Sequence, residues 1–433
     1  MNVAEQIVAQ LVDAGVHRIY GIVGDSLNPI VDAVRKTGGS AKGGIDWIHV
    51  RHEEAAAFAA SAEAQLTGKL AVCAGSCGPG NLHLINGLYD ANRTGAPVLA
   101  IASHIPSVQI GSTYFQETHP DRVFEECSVY NELISSAAQS PRTVNSAIRH
   151  AVGLGGVAVI TLPGDITDLK AVEHVPTYAP ARPATLAPNP ADIDEAAALL
   201  NKADKVAIFA GAGVEGAHDE VIALADALKA PIGHSLRGKH FIQYDNPFDV
   251  GMTGLLGYGA AAEGMNDADV LILLGTDFPY DQFLPDTPTI QVDTHAEKLG
   301  RRTDVGLAIH AQVKPFIEAL LPHLRAGRSD SFLKAKIKKH SEIMHAPVGA
   351  YTRNVEKMRP IHPEYAAHLL NETAAKDAIF TADTGMCNVW TARYIDPLGT
   401  RRLIGSLLHG SMANALPMAL GAQVAYPGRQ VVS

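Results

Sequence analysis

Two adjacent carboxylates at a helix start, and glycines gathered where strands end, are the residues here best placed to do chemistry. Glu53 and Glu54 follow the extended run DWIHV and open an alanine-rich stretch, RHEEAAAFAASAEAQLTG. A carboxylate at that position can simply complement the positive end of a helix dipole, and this stretch alone asks for nothing more. The small side chains behind the pair predict tight helix packing, which would bury one of the two acids. Burial raises a carboxylate's pKa until it can exchange protons near neutrality. In CAGSCGPG, Gly75, Gly78, Pro79 and Gly80 predict a tight turn between a strand and a helix N-terminus, where backbone can approach a ligand closely. An ordinary strand-to-helix turn reads equally well.

Further candidates lie downstream. The segment from Gly111 to Pro120 clusters Tyr114, Phe115, Gln116, Glu117 and His119 in a predicted loop, a mixture suited to a small pocket. Gly211, Gly213 and Gly216 spell GxGxxG after the strand KVAIFA, but no acid follows at the distance the dinucleotide fingerprint requires; His234 ends the next strand instead. An acid does end a later strand, Asp293 in TIQVD, and GTDFPY forms another loop at a strand end after VLILL. Together these suggest a nucleotide-binding unit without the plain NAD pattern. Asp383 and Gly385 follow AIFTA, and HGSMANALPMALGA, from His409 to Ala422, reads as a helix start able to receive phosphate. Met412 within it could equally be core.

The elements that must hold these residues repeat one grammar: an apolar run, a Gly-rich loop, then a helical pattern. RIYGIVGDSLNPIVDAV, KVAIFAGAGVEGAHDEVIALADAL and DAIFTADTGMCNVWTARY all follow it. Such alternation predicts parallel sheets with right-handed crossovers and ligands beyond the C-terminal strand ends. A length of 433 residues with 47% apolar residues, 18% charged residues and 39 glycines fits a multidomain α/β enzyme. The proline-rich stretch from Val175 to Pro190 and the basic stretch after about Pro322 (RAGRSDSFLKAKIKKH, Arg325 to His340) divide the chain. The first reads as an extended linker and the second as a solvated, partly helical connection. Three parallel-sheet α/β domains result, spanning 1–175, 190–322 and 360–433. The third reads as incomplete, because RQVVS should begin a buried strand just as the chain ends.

The net charge of −10 argues against nucleic acid. Four cysteines point to a reducing compartment, and CAGSC matches neither a zinc knuckle nor a redox pair. The 19 histidines show no HExxH-type spacing, so no zinc site is expected. Val3, Ile7, Val8 and Leu11 make the N-terminus an amphipathic helix, not a targeting signal. No apolar run approaches the ~20 residues of a membrane span, and a cytoplasmic location follows as the default.

The loops gain specificity in their wording and order. RHEEAAAFAA, CAGSCGPGNLHLINGLYDA, YFQETHP, LRGK, YDNPFDVGMTGL, GTDFPY and HGSMANALPMALGAQ resemble, in register over essentially the whole chain, the flavin-dependent pyruvate oxidase branch of the thiamine-diphosphate enzymes. This is the family of bacterial pyruvate dehydrogenase (quinone). The resemblance implies a pyrimidine-binding domain (1–175), a central FAD-binding domain (190–322) and a diphosphate-binding domain (360–433). It implies oxidative decarboxylation of pyruvate to acetate and CO2, with electrons passing through FAD to a membrane quinone such as ubiquinone. Glu53 would contact the aminopyrimidine of thiamine diphosphate and manage its proton. Phe115 and Gln116 would cover the reacting ring, Gly78 would line the turn, and Met412 would prop the cofactor's bend. Gly410, Ser411, Asp383 and Gly385 would face the diphosphate. FAD would meet Leu236, Thr253, Gly254, Leu255, Leu256, Thr276, Asp277, Phe278, Pro279, Tyr280 and Asp293.

The family pattern continues past Ser433 with a GDG motif and an Asn-containing segment, which supply the ligands for Mg2+. The resemblance therefore leads one to expect an active parent, peripherally attached to the inner membrane, and an inactive fragment. It also implies a homo-oligomer, a dimer at minimum and a tetramer commonly, with thiamine between subunits. Acetolactate synthase-type carboligation and a phosphate- and oxygen-dependent pyruvate oxidase are the nearest alternatives. A catalytically dead binding module is the alternative from another class.

Overall fold

The computed structural model describes residues 1–173, 178–179 and 184–433. Most of the expected linker's first half thus lies outside the described residues. Its remainder, 184–189, carries no helix or strand.

Among the described residues, sixteen strands form three sheets. The first contains β1 (Arg18–Gly21), β2 (Asp46–His49), β3 (Ala71–Gly75), β4 (Val98–His104), β5 (Tyr130–Leu133) and β6 (Val157–Pro163), in the order β2-β1-β3-β4-β6-β5. Every pairing in it is parallel. The second contains β7 (Val206–Ala210), β8 (Ile232–His234), β9 (Asp249–Met252), β10 (Tyr258–Gly259), β11 (Val270–Leu274), β12 (Thr289–Asp293) and β13 (Leu307–His310). Its order is β10-β9-β8-β7-β11-β12-β13, parallel except for the β9–β10 edge. The third joins β14 (Ile379–Ala382), β15 (Arg402–Gly405) and β16 (Val431–Val432) in the order β15-β14-β16. The expected architecture of three parallel-dominated α/β sheets is what the chain adopts. Central strands such as β3, β4, β6, β7 and β11 are buried along their whole length, which explains why they read as unbroken apolar runs instead of alternating ones.

By internal contacts the chain gathers into two compact units. One holds Met1–Arg182, Ile379–Thr384 and Ile404–Ser433; the other holds Pro183–Ala378 and Gly385–Leu403. The first unit opens with the helix Val3–Asp13, set by a capping box in which Asn2 and Glu5 exchange side-chain and backbone hydrogen bonds. Its central helix, Glu53–Thr67, is buried on nearly every face. Alanines make that possible, because they let two further helices approach backbone to backbone. A Cβ on Gly87 of the helix Pro79–Thr94 would lie 2.5 Å from the Ala57 Cβ, and one on Gly421 of the helix Ala415–Ala425 would lie 2.1 Å from the Ala59 carbonyl oxygen.

In the second unit, the stretch expected to be a solvated connection is more than that. Its helix Ser331–Ile343 buries Leu333 in the main core and Lys336 between Glu263 and Asp267, 2.6 and 2.5 Å from the ammonium. Lysine on a basic helix face is ordinarily solvated; the two facing carboxylates are what allow this one to be buried.

Lys239 is the deeper case. Its ammonium donates to the Ala392 carbonyl at 2.9 Å and to Gln243 Oε1 at 2.5 Å, with the Tyr258 hydroxyl 3.3 Å away. Burial pushes its pKa from 10.5 down to about 8, against the opposing pull of Asp396 and Asp249. The unfolded chain therefore binds more protons at this position between about pH 8 and 10.5, so stability at this position rises with pH across that window. Relative to Lys239→Met, whose position does not titrate, the wild type should gain about 3 kcal/mol between those pH values. Paired urea titrations at pH 7.5 and 10 read the difference directly, and the titrating thiols and tyrosines cancel in it. A constant gap would show that the burial is not felt as charge.

Candidate active site

In the first unit, Glu53 begins its helix where β2 hands over through Arg51 and His52. His52 caps the helix, its ring nitrogen Nδ1 accepting from the Glu54 N–H at 3.2 Å. The Glu53 side chain turns inward and is 9% exposed. One carboxylate oxygen, Oε2, receives His83 Nδ1 at 3.0 Å. The other faces Gly80, where any Cβ would lie 3.1 Å from it. The acid and the turn after β3 are therefore neighbours, and glycine at position 80 leaves the carboxylate uncovered on that side.

The turn is built with similar economy. Gly78 has φ +68°, and a Cβ there would lie 2.9 Å from the Gln116 side chain. Gln116, itself at φ +64°, accepts from the Cys77 thiol at 3.2 Å. The loop 111–119 thus meets the turn through Gln116, whereas Phe115 points outward and is 78% exposed. Glu117 ties the loop to itself by accepting from the Gly111 and Tyr114 N–H groups, which lowers its pKa.

Glu54, the second acid, serves a different contact. It accepts from Asn86 Nδ2 at 2.8 Å, and the same amide donates to Ser411 Oγ at 2.9 Å. Asn86 Oδ1 receives His409 Nε2 at 2.8 Å, and the His409 ring stacks on Tyr89 with centroids 5.5 Å apart. Burial and the nearby Arg93 hold His409 below its ordinary pKa, so it stays neutral, and its buried Nδ1 has no hydrogen-bond partner among the described residues. The loop 409–412 and the Pro79–Thr94 helix are hundreds of residues apart in sequence, yet they share one polar cluster. Gly410, at φ +78°, allows that loop to turn, and Met412 stands 73% exposed beside it.

The sequence reading of a phosphate-receiving helix start needs correction here. The helix begins only at Ala415, after Gly410, Ser411 and Met412, and its Ala415 N–H is already taken by Asp383 Oδ1 at 2.7 Å. Asn414 closes the turn, donating to Ser411 O and accepting from Ser406 N. Asp383 is thus a cap for this helix. Gly385 belongs to the second unit, at φ +135° with open space where a Cβ would stand, ahead of the helix Met386–Tyr394.

Ligand-type side chains gather here without HExxH spacing. His52, Glu53 and His83 bring their ligand atoms within 4.8 Å of one another, a grouping that linear spacing hides. His83, Asn86 and His409 are the residues that sequence reading passed over. The motif NLHLINGLYDA contained the first two and HGSMANALPMALGA began at the third, but neither gave them a role.

In the second unit, packing explains the first two GxGxxG glycines, whereas Gly216 stands at φ +74° with open space where a Cβ would be. The Gly213 N–H donates to Gly275 O at 2.9 Å, and a Cβ on Gly211 would lie 2.4 Å from that same oxygen. The loops after β7 and β11 therefore lie backbone on backbone. Around them the flavin candidates gather in part. A Cβ on Gly254 would meet the Phe278 ring at 2.8 Å, and Phe278 packs edge-on against Tyr280. Gln291 Nε2 donates to Thr276 O at 3.0 Å. Leu236 and Leu256 share an apolar cluster with Met252 and Tyr258, while Leu255 and Pro279 are exposed. Asp277 pairs with Arg301 and Arg302, and Asp293 accepts from the His295 N–H at 2.9 Å. Thr253 is buried with its hydroxyl unpartnered among the described residues.

The described residues contain no helix long and apolar enough to cross a membrane.

Comparison with known proteins follows from this geometry. Family profiles for the thiamine pyrophosphate enzyme match three segments: the N-terminal TPP binding domain at residues 1–123, the central domain at 193–320, and the C-terminal TPP binding domain at 383–433. An uncharacterised 42.6 kDa protein of Pseudomonas amyloderamosa is 54% identical over 77% of this chain and 84% of its own length. YdaP of Bacillus subtilis, provisionally described as containing thiamine pyrophosphate, is 36% identical over 99% of this chain and 74% of its own. Pyruvate oxidase of Lactiplantibacillus plantarum is 31% identical over 96% of this chain and 69% of its own. Acetolactate synthases are among the further matches. With all three domains matched and relatives of this identity covering nearly its whole length, the chain belongs to the thiamine pyrophosphate enzyme family.

Proposed function

We propose that the chain is a thiamine diphosphate- and FAD-dependent pyruvate dehydrogenase that passes electrons to a membrane quinone. Pyruvate, water and quinone would give acetate, CO2 and quinol, the two electrons leaving through the flavin. The observation that carries the reading is Glu53, a buried carboxylate bare toward Gly80 and bonded to His83.

The residues present fit the first cofactor. Glu53 offers an acceptor for a ring nitrogen, glycine at 80 leaves room beside it, and the unpartnered His409 Nδ1 offers a further polar contact. When bound, thiamine diphosphate supplies an acidic carbon that adds to the keto group and an electron sink for the departing carboxylate. Glu53 would hold and return the proton at Oε1, while His83 fixes the carboxylate by bonding Oε2. Gln116 would stand against pyruvate, Gly78 allowing its close approach, while the outward-pointing Phe115 is the remaining candidate of that loop. Ser411, Gly410 and Met412 would line the cofactor's other side, with Asp383 setting the helix behind them; Gly385 is the remaining diphosphate-side candidate. Magnesium is the expected companion of the diphosphate. Among the described residues the one grouping of three such ligands is rich in imidazole, which does not suit it, so no ligand is assigned.

FAD would lie along Leu236, Thr253 to Leu256, Thr276 to Tyr280 and Asp293, where the unpartnered Thr253 hydroxyl asks for a partner. The domain limits 1–175, 190–322 and 360–433 go with this assignment. So do a dimer or tetramer in the cytoplasm and a peripheral attachment to the membrane holding the quinone.

The test is the flavin spectrum. The purified protein should be yellow and, once extended through the segment expected to hold Mg2+, should bleach on anaerobic addition of pyruvate and recolour with a soluble quinone analogue. Colourless protein that takes up no FAD would overturn the flavin assignment. Bound flavin that pyruvate leaves oxidised would favour the acetolactate synthase reading, which fits the same fold and shares the further matches. Turnover that needs phosphate and oxygen would favour the acetyl phosphate-forming oxidase.

A further inference from the structure

We propose that His52, Glu53 and His83 form a binding site for a borderline divalent cation of the zinc type, which when filled takes Glu53 out of service. Its blocking role rests on the function proposed above; the metal site itself does not.

The three ligand atoms lie within 4.8 Å of one another, and they come from a helix cap, a helix start and a second helix. Tetrahedral Zn2+ with ~2.0–2.1 Å bonds places its ligand atoms ~3.3 Å apart. The His83 Nδ1 to Glu53 Oε2 separation, 3.0 Å, is already close to such an edge. An ion there would replace the hydrogen shared by that pair, releasing a proton to solvent. His52 is stacked on His83 with centroids 4.3 Å apart and planes inclined by 25°, and it needs a side-chain rotation of order 1.5 Å to complete the third edge. Its ring is exposed, so nothing buried must move.

The donor set decides the metal. Two imidazoles and one carboxylate suit Zn2+, Cu2+ and Ni2+, whereas Mg2+ prefers oxygen ligands in an octahedron. Three protein ligands also leave a fourth position open to water. The site would therefore ignore the magnesium that accompanies thiamine diphosphate and respond to zinc. Glu53 cannot give the same oxygen lone pairs to a metal and keep the mobility that proton exchange requires.

The experiment is competition of the protein against a chromophoric zinc chelator, compared with two variants. His83→Gln removes one ligand. His52→Asn removes another but keeps a good helix cap, so the Glu53 helix still starts. Each variant should weaken the first equivalent of zinc at least ~10-fold, while far-ultraviolet circular dichroism stays unchanged. Other histidines on the surface can bind zinc as well, but they bind it equally in all three proteins. Identical titrations for wild type and both variants would overturn the site, as would equal strength for Mg2+. In the wild type, zinc should also raise the apparent Kd for thiamine diphosphate at least ~10-fold, and His83→Gln should remove most of that effect. Triad-dependent zinc binding that leaves the thiamine titration unmoved would keep the metal site and overturn the blocking role. Failure of thiamine diphosphate to bind even without zinc would overturn the proposed function and the blocking role that rests on it, while the metal site would still stand or fall by the zinc titrations.

Discussion

In the protein extended through the expected Mg2+-binding segment, Glu53→Gln should lower pyruvate turnover by about 10²- to 10⁴-fold, the range over which a positioned proton-transfer group contributes. The amide keeps the shape of the acid and can still accept from His83, so the helix start and its surroundings persist. What it loses structurally is a negative charge in the first turn, worth about 0.3–1 kcal/mol. Activity should therefore collapse while the melting temperature moves by a few degrees at most. Glu54→Gln is the internal control. Its carboxylate accepts from Asn86 at 2.8 Å, and an amide oxygen can accept the same bond, so turnover should fall less than ~10-fold. Dye-linked pyruvate oxidation measured beside a thermal melt separates the two. Equal losses from both substitutions would mean that neighbouring charge, not a specific proton relay, is what position 53 provides.

That control exposes what the sequence could and could not say about the site. Glu53 and Glu54 are chemically alike and adjacent, and only the packing behind them distinguishes the buried acid from the half-exposed one. The alanines of RHEEAAAFAASAEAQ announced the packing, and the Gly-rich turn after β3 announced itself by the change from apolar strand to glycine. Strands such as β4 and β7 were legible for the same reason, since burial on both faces requires a continuous apolar run. His83, Asn86 and His409 carry no such signal. Their roles depend on ring stacking and amide contacts between segments joined only by the fold, as when His409 lies on Tyr89. Glycine was ambiguous in a different way. Gly211 and Gly213 look like a nucleotide fingerprint, yet their missing side chains make room for Gly275. Lys239 was illegible because a lysine's ordinary place is the surface, and only Gln243, Tyr258 and the Ala392 carbonyl make its burial tolerable.

The other large effect should come from Gly421→Ala, a substitution that helix propensity alone would favour by about 1 kcal/mol. Gly421 lies within the Ala415–Ala425 helix, where its Cα faces the Glu53–Thr67 helix. The added Cβ would stand 2.1 Å from the Ala59 carbonyl oxygen and 2.8 Å from its carbon. Backbone, not a flexible side chain, is what it meets, so the helices must separate by about 1 Å to restore ordinary contact. Overpacking of that kind costs about 1–3 kcal/mol, which outweighs the propensity gain. Gly153→Ala supplies the contrast. It also sits inside a helix, Ser140–Leu154, with nothing within 4 Å of the new Cβ, so there the propensity term should appear alone and stabilise by about 0.5–1 kcal/mol. Urea midpoints should thus move in opposite directions for the same chemical change. The displaced Ala415–Ala425 helix follows directly on the loop holding Ser411 to Asn86. A shift of ~1 Å there should loosen the cluster opposite Glu53 and lower turnover up to ~10²-fold beyond any loss of folded protein. A Gly421→Ala protein as stable and active as the wild type would mean that the two helices do not meet at this crossing, and with them would go the shared cluster on which the placement of Ser411 near Glu54 and Asn86 depends.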